Sequence, residues 1–359
     1  MKKFLRKHLI LLICLGIIWV TIMSSIFIKV PYNLTAPASI SEVKDVIKID
    51  NQAELDGSIN TVSVYSYEEI SALSYLIGRL NPYVTIDETI PVQNVSYEEM
   101  VKGGRIQKSV SLYNAVIAGY QAAGYPIDYS YQGYIIHFLT TFADEQLQLG
   151  DIIIECNHQK VTNEFSVSAA LHNSTYPLEA NKLSLVIIRN SERIPLTISG
   201  IYTKNEKDED VVSYGFSIYP YNIPNTGDGA EYPKFSFKSA DSIGPSGGLM
   251  QSFYVYEKLT GAKLSKDLVI VGTGTVDING NAGKIGGIAQ KVIAAELSHA
   301  DIFFIPVLSN EYEKYSQEEN YLEAMESYNR LHNPHMIMQP VANLQDIIDF
   351  LTEYQGGKK

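Results

Sequence analysis

Cysteine is nearly absent from this 359-residue chain, which carries only Cys14 and Cys156. Cys14 lies inside an apolar run, so Cys156 has no intramolecular partner and a disulfide framework is excluded. The seven histidines show no His-x-x-x-His spacing and neither cysteine stands at metal-ligand spacing from another, so no metal is expected. The chain has no Walker-type phosphate loop, no dinucleotide fingerprint and no internal repeat. Residues 280–287 are glycine-rich, but their spacing fits neither loop, so no ATP and no other cofactor is expected. Basic charge is scarce outside the N-terminus. Residues 1–30 hold Lys2, Lys3, Arg6, Lys7 and Lys29 and no acid, leaving 23 basic against 40 acidic residues in the rest of a chain of net charge −12. A body that acidic repels phosphate, which excludes nucleic acid as the expected partner.

What is abundant comes first in the chain. Residues 9–28 form an uncharged apolar run of twenty, long enough to cross a bilayer. The preceding basic cluster predicts a cytoplasmic tail at 1–8, an anchor at 9–28 and a body on the extracellular side of the cell membrane. A cleaved signal peptide is the competing reading, but the apolar core is long and no small-x-small site follows it. Residues 29–124 are expected to be an extracellular N-terminal region, with a strand at 59–65 and helices at 67–80 and 109–123. Residues 125–205 read as short strands at 134–139, 151–156, 183–189 and 194–198 with one helix over 164–171. The charged run 203–210 reads as a linker. Residues 206–355 then mix strands and helices, the pattern of an α+β or α/β domain.

In that last region Ser242-Ile243-Gly244-Pro245-Ser246-Gly247-Gly248-Leu249 places a serine in a Gly/Pro turn before an apolar helix. Ser246 there is either a helix N-cap or a nucleophile beside unpaired helix N–H groups. A nucleophile needs a base. His299 reads as a surface histidine at a helix end. Lys291 shares a helical face with Ile288, Val292 and Ala295. It either snorkels to water or is buried and neutral.

Two resemblances organise these pieces. Tyr131-Gln132-Gly133-Tyr134-Ile135 with Leu147-Gln148-Leu149-Gly150-Asp151 and the strand ending Ile188-Arg189 resembles a PDZ domain of the bacterial protease-associated kind. The resemblance implies peptide binding by strand addition along Gly133, Tyr134, Ile135 and Ile136. Gly244-Pro245-Ser246-Gly247-Gly248, then Gly272-Thr273-Gly274, then Gly286-Gly287-x-x-x-Lys291 resembles the proteolytic domain of Lon-type serine proteases. The layout is similar to the membrane-anchored, PDZ-containing Lon-like proteases of Gram-positive bacteria, which lack the ATPase.

The resemblance implies a Ser–Lys dyad with Ser246 as nucleophile, Lys291 as general base, Thr273 bonded near the lysine, and an oxyanion site in the turn Gly244, Pro245 and Gly247. It implies an ATP-independent serine endopeptidase that cleaves flexible peptides or exposed protein segments. Two positions depart from the Lon pattern: Gly247 stands where alanine is usual, which adds backbone freedom to the turn, and Ile243 stands where ATP-dependent relatives carry an acid. The alternative is a catalytically inactive PDZ scaffold that binds peptides at the cell surface.

Overall fold

The computed structural model describes residues 8–50, 52, 54–89, 95–162, 181–204, 208, 210–226, 231–239 and 242–357. The first elements are helix α1 (Leu9–Phe27), strands β1 (Tyr32–Glu42), β2 (Ile47–Ile49) and β3 (Ser58–Tyr67), helix α2 (Ala72–Arg79), strand β4 (Thr85–Glu88) and helix α3 (Tyr97–Ala122). Strands β5 (Tyr129–Leu139), β6 (Ile152–Cys156), β7 (Gln159–Lys160), β8 (Lys182–Arg189), β9 (Glu192–Ser199), β10 (Ile201–Lys204), β11 (Asp210–Ser213) and β12 (Phe216–Pro224) follow. Then come β13 (Phe235–Phe237), α4 (Gly248–Thr260), β14 (Val269–Gly272), β15 (Thr275–Val276), β16 (Ala282–Gly283) and α5 (Ile288–Leu297). The chain closes with β17 (Ile302–Pro306), α6 (Tyr312–Tyr315), α7 (Glu319–Asn329), β18 (Ile337–Val341) and α8 (Leu344–Gly356). The protein is thus mixed α+β, with one N-terminal helix long and apolar enough to span a membrane.

The first sheet runs β18-β17-β14-β3-β1-β4. Its β18, β17, β14 and β3 are parallel to one another, and β1 pairs antiparallel with β3 and β4. Both faces are covered. Ile302 and Phe304 of β17 join a core with Leu249 and Phe253 of α4, Val116 and Tyr120 of α3 and Ile347 of α8. Phe303 and Ile305 join the opposite core with Val292 and Ala295 of α5 and Ala324 of α7. An uninterrupted apolar strand such as Ile302–Pro306 is what two covered faces require.

Residues 29–124 therefore do not stand apart from the C-terminal part. They supply three of the six strands of the first sheet, and the buried Asn60 amide ties β3 to Ile270 O of β14 (3.1 Å). The expected boundary at 205/206 also shifts. Thr203 and Lys204 end β10, which pairs antiparallel with β11 from Asp210 onward, and β12 beyond it pairs with β5; residues 205–207 and 209 of the charged run lie outside the described residues. The helix expected over 164–171 lies outside the described residues. The acidic stretch 311–328 folds as two helices, α6 and α7.

The second sheet runs β12-β5-β6-β8-β9, with β7 on β6, around Ile136, Ile153, Leu185, Ile187 and Ile198. Its Gly-Asp turn is built on Gly150 (φ +96°) and on the buried Asp151. Arg189 donates to that carboxylate from Nε (2.7 Å) and Nη2 (2.6 Å), and Gln148 N–H donates to it as well (2.8 Å). Cys156 is fully buried in this core, and burial pushes its thiol up to about 11. Only the thiolate reacts. Iodoacetamide at pH 8 is expected to spare Cys156 in the native protein and to alkylate it after denaturation, as read by mass spectrometry.

The strand expected to offer a binding edge is not an edge. Gly133, Tyr134, Ile135 and Ile136 of β5 pair with Tyr221, Pro220, Tyr219 and Ile218 of β12 on one side. Tyr134 and Ile135 pair with Ile153 and Ile152 of β6 on the other. Their backbone groups are committed within the sheet, so no further strand can add there. Among the described residues β12 pairs with β5 alone, which makes β12 the outer strand.

Candidate active site

Ser246 and Lys291 come to one place from opposite faces of the first sheet. Ser246 ends the turn before α4, on the face covered by α3 and α4; Lys291 sits on α5, on the other. They converge at the C-terminal end of parallel strand β14, where Gly272 gives way to Thr273. Ends of parallel strands are where α/β proteins place their sites, because helices from both faces open there.

The serine turn is pinned from several directions. Gly244 has φ +90°, a left-handed conformation that favours glycine. Its N–H donates to Gly104 O of α3 (2.9 Å). Ser111 Oγ of α3 donates to Pro245 O (2.8 Å), and Lys108 Nζ donates to Ser242 O (2.8 Å) and Oγ (2.6 Å). The Ser246 carbonyl accepts from Gly274 N–H (2.8 Å) and from Thr273 Oγ1 (3.1 Å). The N–H groups of Ser246 and Gly247 meet no acceptor among the described residues. They stand at the start of α4, where the helix dipole favours negative charge.

Ser246 does not cap α4. The N-cap is Gly247, with no side-chain cap bond, and the Ser246 hydroxyl makes no hydrogen bond among the described residues. The expectation that Gly247 loosens the turn also changes. Its φ −90°, ψ −7° are open to any residue. A Cβ there would stand 2.9 Å from Thr61 Cγ2 and 2.9 Å from Gln251 Nε2, so glycine provides room rather than freedom.

Lys291 is buried to 3% exposure in the stripe of Ile288, Val292 and Ala295, all fully buried. Its amine does not snorkel. Nζ donates to Thr273 Oγ1 (3.2 Å), and Thr273 is itself fully buried. Desolvation lowers the amine to about 8, and the carboxylate of Glu323 on α7 opposes that shift. Glu323→Gln removes the opposing charge, so the acidic limb of any lysine-dependent pH profile is expected to move to lower pH.

Thr273 thus joins the lysine to the serine turn, in the chain Lys291 Nζ, Thr273 Oγ1, Ser246 O. A cavity of about 530 Å³ adjoins the turn. Pro245, Ser111 and Asn114 of α3, Tyr219 and Asn222 of β12, and Val276 of the β15–β16 hairpin are among the residues lining it. Asn114 Nδ2 donates to Val276 O (3.0 Å), while the Oδ1 atoms of Asn114 and Asn222 are buried without a partner among the described residues.

The structure therefore gathers Ser246, Thr273, Lys291, Gly244, Pro245 and Gly247, and leaves Gly133, Tyr134, Ile135 and Ile136 in the interior of the second sheet. His299, expected to be a surface histidine, is exposed just beyond the end of α5. Sequence reasoning missed the supporting residues Gly104, Lys108, Ser111 and Asn114. Their signal was Ser96-Tyr97-Glu98-Glu99, a capping box that starts α3 a dozen residues before the expected helix. No protein-family model and no curated protein matches this chain.

Proposed function

We propose that this protein is an ATP-independent serine endopeptidase of the Lon-like, PDZ-containing kind, held to a membrane by α1 with its body on the extracellular side. The observation that carries the reading is the buried Lys291 amine. A lysine in an apolar stripe is costly unless its neutral form is used, and this one is lowered to about 8 and bonded through Thr273 to the serine turn.

The chemistry follows from these positions. The neutral Lys291 amine takes the Ser246 Oγ proton as Oγ attacks the scissile carbonyl. The carbonyl oxygen becomes an oxyanion facing the unpaired N–H groups of Ser246 and Gly247. The resulting ammonium returns its proton to the leaving amine as the peptide bond breaks, and water then hydrolyses the acyl-enzyme with the amine again as base. In the free protein Nζ is bonded to Thr273 rather than to Ser246 Oγ, a looseness common before substrate arrives.

The second sheet fits a PDZ-like module whose peptide adds to the outer strand β12, in place of the β5 edge first expected. The cavity between β12, α3 and the serine turn would take substrate side chains close to the reacting carbonyl. Without an unfoldase the substrates are flexible peptides or exposed segments.

The test is cleavage of a library of unstructured peptides by the full chain in liposomes, read by mass spectrometry. Ser246→Ala is expected to keep its circular dichroism spectrum and lose all cleavage. A wild-type protein that cleaves no library member, or a Ser246→Ala variant that cleaves as well as wild type, overturns the assignment.

A further inference from the structure

A cluster of exposed apolar side chains lies beside the point where the chain leaves α1. That helix has 19 residues, about 28 Å at ~1.5 Å per residue, close to a bilayer's hydrocarbon thickness. It does not release the chain freely. Ala72 N–H donates to Ile28 O (2.8 Å), Val30 N–H donates to Ile70 O (2.9 Å), and Lys29 and Ser71 form an isolated antiparallel bridge. The start of α2 is therefore fixed at the level where α1 ends.

One side of α2 belongs to the body. Gly78 is buried against the side chains of Ile86 and Leu34, and Tyr75 packs on Tyr32 with ring centroids 4.7 Å apart. The other side has no cover among the described residues. Leu76 is 59% exposed, Ile77 60% and Leu80 86%, and Tyr83 follows, also exposed. Scattered apolar residues on a surface mean little, but four large ones within eight positions form a patch. The neighbouring charges are mixed. Lys29 and Arg79 suit anionic headgroups, Arg79 lying over the Tyr75 ring at 5.9 Å, whereas Glu68 and Glu69 precede α2. An apolar helix face with a tyrosine and an arginine at its edge is the composition of a segment lying at a membrane interface.

We propose that α2 is a second, monotopic membrane contact, with Leu76, Ile77 and Leu80 seated at the boundary between headgroups and acyl chains. The inference rests on the reading of α1 as a membrane anchor. It adds that the body is held against the bilayer and does not swing on a tether. Gln290 of α5 bonds Thr85, on the strand that follows α2, so the helix carrying Lys291 is tied to this contact. The proposed site is then kept at a fixed height above the lipid.

The experiment uses the full chain in liposomes of neutral and anionic phospholipid, with an environment-sensitive fluorophore on one cysteine at a time. The three positions are native Cys14 in α1, Leu80→Cys, and Tyr202→Cys on the exposed β10, the last two in a Cys14→Ser background. Cys156 is buried and takes no label. Quenching by brominated lipid and by aqueous iodide is read at each. The expected result is lipid quenching and iodide protection at positions 14 and 80, with the reverse at 202. If position 14 is quenched by lipid while position 80 is open to iodide, docking of α2 is overturned and the anchor stands. A position 80 shielded from both quenchers is covered by protein, such as a second copy, and also overturns it. If position 14 itself is not quenched by lipid, the anchor reading fails and takes this inference with it.

Discussion

Lys291→Met is expected to abolish peptide cleavage and to make the protein more stable. The two effects share one cause. Folding moves the lysine amine from its ordinary 10.5 to about 8 by taking it out of water. One pKa unit corresponds to about 1.4 kcal/mol, so at pH 7 the folded state bears a penalty of roughly 3 kcal/mol for holding the charge. The sign is fixed by proton counting. Below about pH 8 the lysine is protonated in both states and the penalty is complete. Between about 8 and 10.5 the unfolded chain holds a proton that the folded chain has released, so stability rises with pH across that window. Methionine keeps a long apolar stem in the stripe of Ile288, Val292 and Ala295 and carries no charge. Denaturant unfolding at pH 7 should therefore show the variant more stable by about 2–3 kcal/mol, with the pH-dependent rise above 8 reduced. Cleavage should fall by on the order of 10⁴-fold or more, as when a nucleophile loses its base. The wild-type rate should rise with an apparent pKa of about 8. A Lys291→Met protein that is less stable, or one that still cleaves, would remove the base from the mechanism.

The same lysine marks what could be read without coordinates. Positions 288, 291, 292 and 295 define one helical face by spacing alone, and all four are buried. The serine turn was legible because Gly and Pro punctuate it, and the 302–306 strand because it is apolar throughout. What escaped depended on distant parts of the chain. Nothing local in residues 58–67 indicates that they pair in parallel with 269–272, two hundred positions away. Nothing in Gly133-Tyr134-Ile135-Ile136 announces that β12 will cover that edge. The first turns of α3 were missed for the opposite reason. Gly103-Gly104 reads as a helix breaker when only propensity is weighed. Here it is a pair of contact points. A Cβ on Gly103 would stand 2.4 Å from His137 O of β5, and one on Gly104 would stand 2.9 Å from Ile243 Cδ1.

Those contacts carry the second large prediction: Gly104→Val should impair chemistry without unfolding the protein. The glycine abuts Ile243, whose backbone leads directly into Gly244-Pro245-Ser246, and its carbonyl accepts the Gly244 N–H (2.9 Å). Ile243 is half-exposed, so added methyl groups can displace it outward at modest cost, about 1–2 kcal/mol in stability. Displacement of Ile243 pulls on the serine turn. Lys291 and Thr273 are fixed in the opposite core and at the end of β14, so Ser246 moves relative to Lys291. A misplacement of about 1 Å costs on the order of 100-fold in rate. The expected signature is a kcat lower by about that factor with KM little changed, because the cavity and the β12 edge are untouched. Ile243→Ala in the Gly104→Val background makes room for the valine and should restore most of the lost kcat, a coupling that a general packing defect would not produce. A Gly104→Val variant with full kcat, or a loss that Ile243→Ala does not repair, would show that α3 does not set the position of Ser246.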